Sequence, residues 1–195
     1  MKLVVASHNR HKLGELRQMA AGLPLELVPL GEIAPGFEIE EDGATFEDNA
    51  SKKARETAAR TGLAALADDS GLEVDALGGE PGVRSARFSG MPCDDGRNNA
   101  LLIERLASVP ADRRTARYVA VIALARPGGP VELARGTCEG RIARSPRGQG
   151  GFGYDPYFTL PDGRHMAELT PEEKNRISHR GAAFAAVRAL LERLC

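Results

Sequence analysis

The chain has 195 residues, the length of one ordinary domain, and its 26 Lys and Arg against 27 Asp and Glu leave a formal charge of −1. That balance excludes a protein that holds a nucleic acid polymer by bulk charge, but not one that holds a single nucleotide with a local cluster. A hydrophobic share of 42% with 27% charged residues matches a packed core with an ordinary polar surface and excludes disorder or a coiled coil.

Taken in chain order, Leu3 to Ala6 is a short apolar run, read as a first strand and not as a leader peptide. The polar Ser7-His8-Asn9 follows, and Leu13, Leu16, Met19 and Ala20 then recur at helical spacing. Leu25 to Leu30 is expected to be a second strand, and Glu38 to Asp42 an acidic loop. Thr45 is a good N-cap for a helix from Phe46 to about Arg60, with Glu47 and Asp48 in its first turn and Gly62 as its stop. Ala50, Ala54 and Ala58 form a small-residue stripe on that helix, so something packs closely against it.

Leu63 to Ala67 leads into Asp68-Asp69-Ser70-Gly71, a sequence that also suits a turn, and Leu72 to Leu77 is expected to be a separate strand. Asn98 to Leu106 reads as helix. Arg117 to Ala125 is the clearest strand, and Val131 to Cys138 is expected to pair with it across the turn Arg126 to Pro130. Thr170-Pro171-Glu172-Glu173 is a capping box with Pro at the first helical position, and the last helix runs from about Arg180 with Phe184, Val187, Leu190, Leu191 and Leu194 on its core face. Strands and helices mix throughout with no repeat and no linker, so the expectation is a single α/β domain over residues 1–195.

No apolar run reaches the ~20 residues of a membrane helix, so no membrane partner is expected. Cys93, Cys138 and Cys195 are odd in number and form no C-x-x-C, which indicates neither a disulfide framework nor a cysteine zinc site, and a reducing cytoplasm is the expected setting.

Four segments could carry chemistry. Ser7 to Lys12 stands at a helix start, where backbone N–H groups and Lys12 suit a triphosphate; the same residues also suit an ordinary cap by Asn9 with solvated Arg10 and Lys12. Glu40-Glu41-Asp42 and Asp68-Asp69 are two carboxylate clusters of the kind that Mg²⁺ and a metal-held water need. In an extended segment Asp68 and Asp69 point to opposite sides, so only one faces a metal. Gly148 to Pro156 matches G-x-G-x-x-G literally, but no strand precedes it directly and Pro156 stands where a helix should begin, so it is not a dinucleotide fingerprint. Its Phe152 suits stacking on a purine and Asp155 suits a base edge, or the segment is a core aromatic in a tight turn. Lys174 with Ser178-His179-Arg180 gathers donors ahead of the last helix.

These segments together resemble the inosine triphosphate pyrophosphatase family. The matching stretches are Ser7-x-Asn9-x-x-Lys12, Glu41-Asp42-Gly43-x-Thr45-Phe46-x-x-Asn49-Ala50, Ala67-Asp68-Asp69-Ser70-Gly71-Leu72, Gly78-Gly79-x-Pro81-Gly82-x-x-Ser85-Ala86-Arg87-Phe88, Gly150 to Pro156, and Lys174-x-x-x-Ser178-His179-Arg180. The resemblance implies a long mixed sheet flanked by helices, with two lobes around a nucleotide cleft, and a homodimer. It implies Mg²⁺-dependent attack of water on the α-phosphorus of ITP, dITP or XTP, giving the monophosphate and pyrophosphate. On this resemblance Ser7, His8, Asn9, Arg10, His11 and Lys12 bind the triphosphate, with Lys12 the main charge partner. Glu41 is a metal ligand, Asp69 the metal-associated general base with Asp68 supporting, and Ser70 a substrate contact. Phe152, Gly153, Tyr154 and Asp155 form the base pocket, and Lys174, His179 and Arg180 close it on the base and sugar side. Ser7-His8 stands where many relatives carry Thr-Gly, which keeps the hydroxyl and adds a Cβ to the loop. The rival readings are a catalytically silent nucleotide-binding protein and a hydrolase that releases orthophosphate.

Overall fold

Six strands line up in one sheet in the order β2-β1-β3-β4-β5-β6. The computed structural model describes residues 1–7 and 9–194. The strands are β1 (Lys2–Val5), β2 (Glu26–Pro29), β3 (Ala65–Val74), β4 (Thr115–Ala125), β5 (Val131–Ile142) and β6 (Phe158–Thr159). Strand β1 runs parallel to both β2 and β3, with Leu3 opposite Leu27 and Val5 opposite Leu66, whereas β5 and β6 are antiparallel, with Ile142 opposite Phe158. The sheet is therefore mixed, as expected. Strand β2 lies at its edge and ends on Pro29, a residue that a central strand would not accept. Nearly every residue of β3 and β4 is buried, the pattern of strands covered on both faces, while β5 alternates buried and exposed.

Among the described residues six α-helices accompany the sheet: α1 (Arg10–Met19), α2 (Leu30–Ile33), α3 (Phe46–Thr61), α4 (Asp95–Arg105), α5 (Pro171–Ile177) and α6 (His179–Glu192). Local chemistry explains their ends. The Asn9 carboxamide accepts from the N–H groups of His11 and Lys12, and the Thr45 hydroxyl accepts from Asp48 N–H. Gly62 closes α3 in the left-handed conformation, with φ of 69°. Thr170 and Glu173 complete the capping box of α5, behind Pro171. Three expectations change. The strand expected over Leu72 to Leu77 ends at Val74, and Asp75–Leu77 is a turn of 3-10 helix. The turn at 68–71 is absent: β3 runs unbroken through Asp68-Asp69-Ser70-Gly71, because buried Leu66, Ala67 and Leu72 on either side hold the segment in the sheet. Helix α4 begins three residues early, at Asp95, capped by the Asp94 carboxylate.

The chain divides into two compact units, one of Met1–Asp69, Ala120–Gly136 and Arg180–Cys195, the other of Ser70–Val119 and Thr137–His179. In the first unit, Leu3 and Val5 of β1, Leu13 and Leu16 of α1, Ile122 of β4, and Phe184, Val187 and Leu191 of α6 share one core. In the second, Leu72 and Val74 of β3, Leu102 of α4, Tyr118, Ile142, Phe158 and Met166 share another. Among the described residues no helix is long and apolar enough to cross a membrane.

Ala50, Ala54 and Ala58 of α3 are at most 1% exposed, so the helix packs as closely as its small-residue stripe allows. Replacing Ala54 by Leu should overpack this face and cost about 1–3 kcal/mol, read as a lower urea midpoint at unchanged slope. An unmoved midpoint would show slack beneath the helix.

Candidate functional site

Successive side chains of a strand point to opposite faces, and β3 uses this to give two adjacent carboxylates different partners. Asp68 is 1% exposed and carries two cations. Lys12 Nζ of α1 lies 2.7 Å from its Oδ1, and Arg180 of α6 grips it with Nε 3.0 Å from Oδ2 and Nη2 3.2 Å from Oδ1. Arg180 also donates to Glu15 of α1. Burial alone would raise the Asp68 pKa, but Arg180 and Lys12 outweigh it and hold the carboxyl well below the usual range.

Asp69 has other neighbours. Lys53 Nζ of α3 lies 2.8 Å from Asp69 Oδ1 and 2.7 Å from Glu41 Oε1, and donates at 2.9 Å to the Asp68 carbonyl. Asn49, one helical turn before Lys53, donates to Asp69 Oδ2 at 3.4 Å. It also accepts from Gly43 N–H at 2.8 Å, which ties the acidic segment to α3; a Cβ on Gly43 would fall 2.7 Å from the Asn49 oxygen. Burial raises the Asp69 pKa, and the Lys53 and Lys12 charges offset this only in part. For Lys53 burial works against the charge, yet Asp69 and Glu41 prevail and its pKa is raised.

Of the acidic trio, only Glu41 reaches this cluster. Glu40 is exposed, and Asp42 pairs outside with Lys52 at 2.7 Å. At the start of α1, Asn9 is the helix cap, Ser7 Oγ accepts from Asn9 N–H at 3.2 Å, and Arg10 and His11 are exposed. The cap occupies two N–H groups that an anion at this helix start would use. His8 lies outside the described residues.

The second unit holds the other expected group, and Asp155 is its hub. Its carboxylate is 2% exposed and accepts from Tyr118 Oη at 3.0 Å, Phe152 N–H at 2.9 Å and Lys174 Nζ at 2.7 Å. Gly151, at φ of 72°, packs so closely that a Cβ would fall 2.0 Å from Asp155 Oδ2. Lys174 Nζ stands 4.5 Å from the centre of the Phe152 ring. Gly153 is held through both backbone groups, its N–H by Asp95 and its carbonyl by Asn99, and Tyr154 donates to the Ser85 carbonyl. Ser85 in turn accepts from Leu72 N–H, which anchors the Pro81-Gly82-x-x-Ser85 stretch to β3. His179 stacks on Tyr118, ring centres 4.8 Å apart.

The expected residues therefore sort into two sets. Lys12, Glu41, Asp68, Asp69 and Arg180 belong to one charge network in the first unit. Phe152, Gly153, Tyr154, Asp155, Lys174 and His179 gather in the second, where Ser70 also lies. The Asp155 carboxylate and the polar groups of Gly153 and Tyr154 shape the turn and are committed to it. Arg180 holds Asp68 and Glu15. Lys53, Asn49, Glu15 and Tyr118 were not foreseen. A usable signal existed for two of them: Asn49 and Lys53 are four apart on α3, beside the buried alanines, where a lysine needs a partner. Nothing local marks Glu15 or Tyr118.

As for metal, no three His, Cys, Asp or Glu side chains converge among the described residues. Glu41 and Asp69 nonetheless share one cation, the Lys53 ammonium. Two hard oxygen donors, completed by water and phosphate, fit Mg²⁺.

Similarity to known proteins extends along nearly the whole chain. Residues 3–190 match the Ham1 family. A dITP/XTP pyrophosphatase of Desulforamulus reducens is 54% identical over 196 residues, covering 100% of this chain and 97% of that protein. Another, of Symbiobacterium thermophilum, is 55% identical over 193 residues, covering 99% and 94%. Among solved structures, a HAM1 protein from Coxiella burnetii superposes with a TM-score of 0.90 at 42% identity over 99% of both chains. A nucleoside-triphosphatase, also titled dITP/XTP pyrophosphatase, from Mycobacterium abscessus superposes at 0.78 with 52% identity, covering 96% of this chain and 98% of that one.

Asp68→Asn removes the charge that compensates buried Arg180 and should cost about 3–5 kcal/mol in chemical denaturation. Because the folded-state pKa of Asp68 is lowered, the stability it lends is complete above the ordinary carboxylate pKa, about 4, and is lost as the pH falls below that value. The wild type should therefore lose more stability between neutral and acid pH than Asp68→Asn; parallel profiles would exclude Asp68 as the group responsible.

Proposed function

Since the chain belongs to the Ham1 family, we propose that it hydrolyses the triphosphates of deaminated purine nucleosides, ITP, dITP and XTP, to the monophosphate and pyrophosphate, and so clears them from the nucleotide pool. The observation that carries the reading is Asp69, a carboxylate with an upward-shifted pKa, beside Glu41 and next in sequence to a carboxylate locked onto Lys12. A raised pKa suits a base that must take a proton near neutral pH. Asp69 removes a proton from the attacking water as its oxygen bonds to the α-phosphorus and the bond to the bridging oxygen breaks, releasing pyrophosphate. Lys12, fixed by Asp68, meets phosphate charge with an ammonium already oriented, which is where electrostatic catalysis gains most. Ser7, His8, Asn9, Arg10 and His11 complete the triphosphate contacts, and Ser70 touches the substrate.

Glu41 and Asp69 would hold Mg²⁺, which when bound supplies positive charge against the phosphate oxygens. Phe152, braced by Lys174, stacks on the purine, and Lys174 and His179 read the base and sugar side. A pocket built for the 6-oxo edge leaves an amino substituent unpaired, and such polar mismatches discriminate strongly. A homodimer, a cytoplasmic setting and a single catalytic domain over residues 1–195 complete the proposal.

A panel of ITP, dITP, XTP and the four common dNTPs with Mg²⁺, assayed for pyrophosphate and orthophosphate, tests the reaction. Pyrophosphate from the three deaminated substrates is expected. Orthophosphate alone, or tight binding of ITP without turnover, would replace the proposal by one of its rivals.

Asp69→Asn should lower kcat far more than it weakens nucleotide binding. In the wild type kcat/KM should fall toward acid pH, since the base must be ionised. Equal losses in kcat and binding would mean that Asp69 is structural.

A further inference from the structure

Lys53 presents an ammonium with three protons to three acceptors: the Glu41 carboxylate, the Asp69 carboxylate and the Asp68 carbonyl, all within 2.9 Å. The residue is 6% exposed and comes from the middle of α3, with Ala50 and Ala54 buried on either side, so the helix delivers it inward by its packing. The oxygens it bridges are the two carboxylates that fit a divalent cation. A cation bridging them would share the volume of the lysine nitrogen and repel its charge, and both cannot keep the same oxygens. Without the ammonium, two carboxylates would face each other in a partly dry site, an arrangement that costs stability.

We propose that Lys53 is an internal counter-ion of the metal site: in the metal-free chain its ammonium holds the place between Glu41 and Asp69, and entry of a divalent cation displaces it. This rests on the reading of Glu41 and Asp69 as metal ligands. With Lys53 in place the two carboxylates keep one net negative charge instead of two, and the metal-free chain takes a divalent cation only weakly. A cation arriving with a triphosphate brings enough additional binding to dislodge the lysine, so Lys53 leaves the two carboxylates only when substrate is present. Lys53 is thus a positioning residue whose action is on Glu41 and Asp69.

The test is metal binding in the absence of nucleotide. Mn²⁺ alone is titrated into the full chain and the free ion followed by electron paramagnetic resonance. Lys53→Met should bind Mn²⁺ about 10- to 100-fold more tightly than wild type, the range of an ordinary coupling between competing groups. Lys53→Arg, which keeps the charge, should stay near the wild-type value. Lys52→Met, which removes a neighbouring exposed charge paired with Asp42, should leave the affinity unchanged and so excludes a general field effect. Equal or weaker Mn²⁺ binding by Lys53→Met would overturn the proposal.

Should Lys53→Met fail to fold, the wild type decides alone. The ¹⁵Nζ resonance of Lys53, assigned with Lys53→Arg, should shift or broaden as Mg²⁺ is added; a signal unmoved at saturating Mg²⁺ would overturn the proposal equally. Neither readout requires turnover. Pyrophosphatase activity without displacement of Lys53 would leave the enzymatic reading standing and remove the counter-ion. Displacement without activity would do the reverse.

Discussion

The alternation of side chains along β3 is the constraint on which the charged site depends. Asp68 and Asp69 are covalent neighbours, and placing two carboxylates this close together in a buried strand would be unstable if both faced the same way. The extended backbone sends one to Lys12 and Arg180 and the other to Lys53 and Asn49. Asp68 has two cations, while Asp69 shares one with Glu41, and the outcomes differ in sign: the first carboxyl is stabilised as an anion, while the second is held closer to taking a proton. Two identical residues thus have their carboxyls shifted in opposite directions by environment alone. The helices are arranged around this need: α1 contributes Lys12 and Glu15, α3 contributes Asn49 and Lys53, and α6 contributes Arg180.

The second unit solves a comparable problem with one carboxylate where the first uses two. Asp155 collects a phenol, a backbone N–H and an ammonium, and by doing so fixes the turn that carries Phe152 and the position of Lys174. Its neighbours add straps from α4 through Asp95 and Asn99 and from the Ser85 segment. A glycine-rich stretch that reads as flexible is therefore held at Gly150, Phe152 and Gly153 by hydrogen bonds to the rest of the second unit. Glycine serves there for close approach, as the 2.0 Å encounter at Gly151 shows, more than for mobility.

Much of the fold could be read before the structure, because its signals are local. Caps at Asn9, Thr45 and Thr170, the stop at Gly62 and the apolar runs of β1 and β4 depend on side chains within a few positions of one another. The reading failed where tertiary packing overrides local preference: Asp-Asp-Ser-Gly favours a turn, but buried Leu66, Ala67 and Leu72 hold it in a strand. For the charged site, the acidic groups, Lys12 and Arg180 were visible, and Lys53 and Glu15 were not. Lys53 looks like one more surface lysine until α3 is seen to bury it, and Glu15 acquires its role only when Arg180, 165 positions away, folds back onto it. Asp155 reads in the sequence as a group for a base edge; that its carboxylate is spent on the scaffold follows in part from Tyr118, 37 positions before it, which no sequence spacing reveals.

The unbroken strand at 65–74 also bears on how such a chain can change length. In a loop, one residue added or lost is absorbed by a rearranged bend. Within β3 it would rotate everything beyond it by half a turn, and the carboxylate that faces Lys53 would face Lys12 and Arg180 instead. Insertions and deletions are consequently confined to the connections, such as Arg126 to Pro130, while the strand that carries the two acids has a set number of residues. Which way the two aspartates face is a matter of parity, and only an even change in the count of strand residues before them would preserve it.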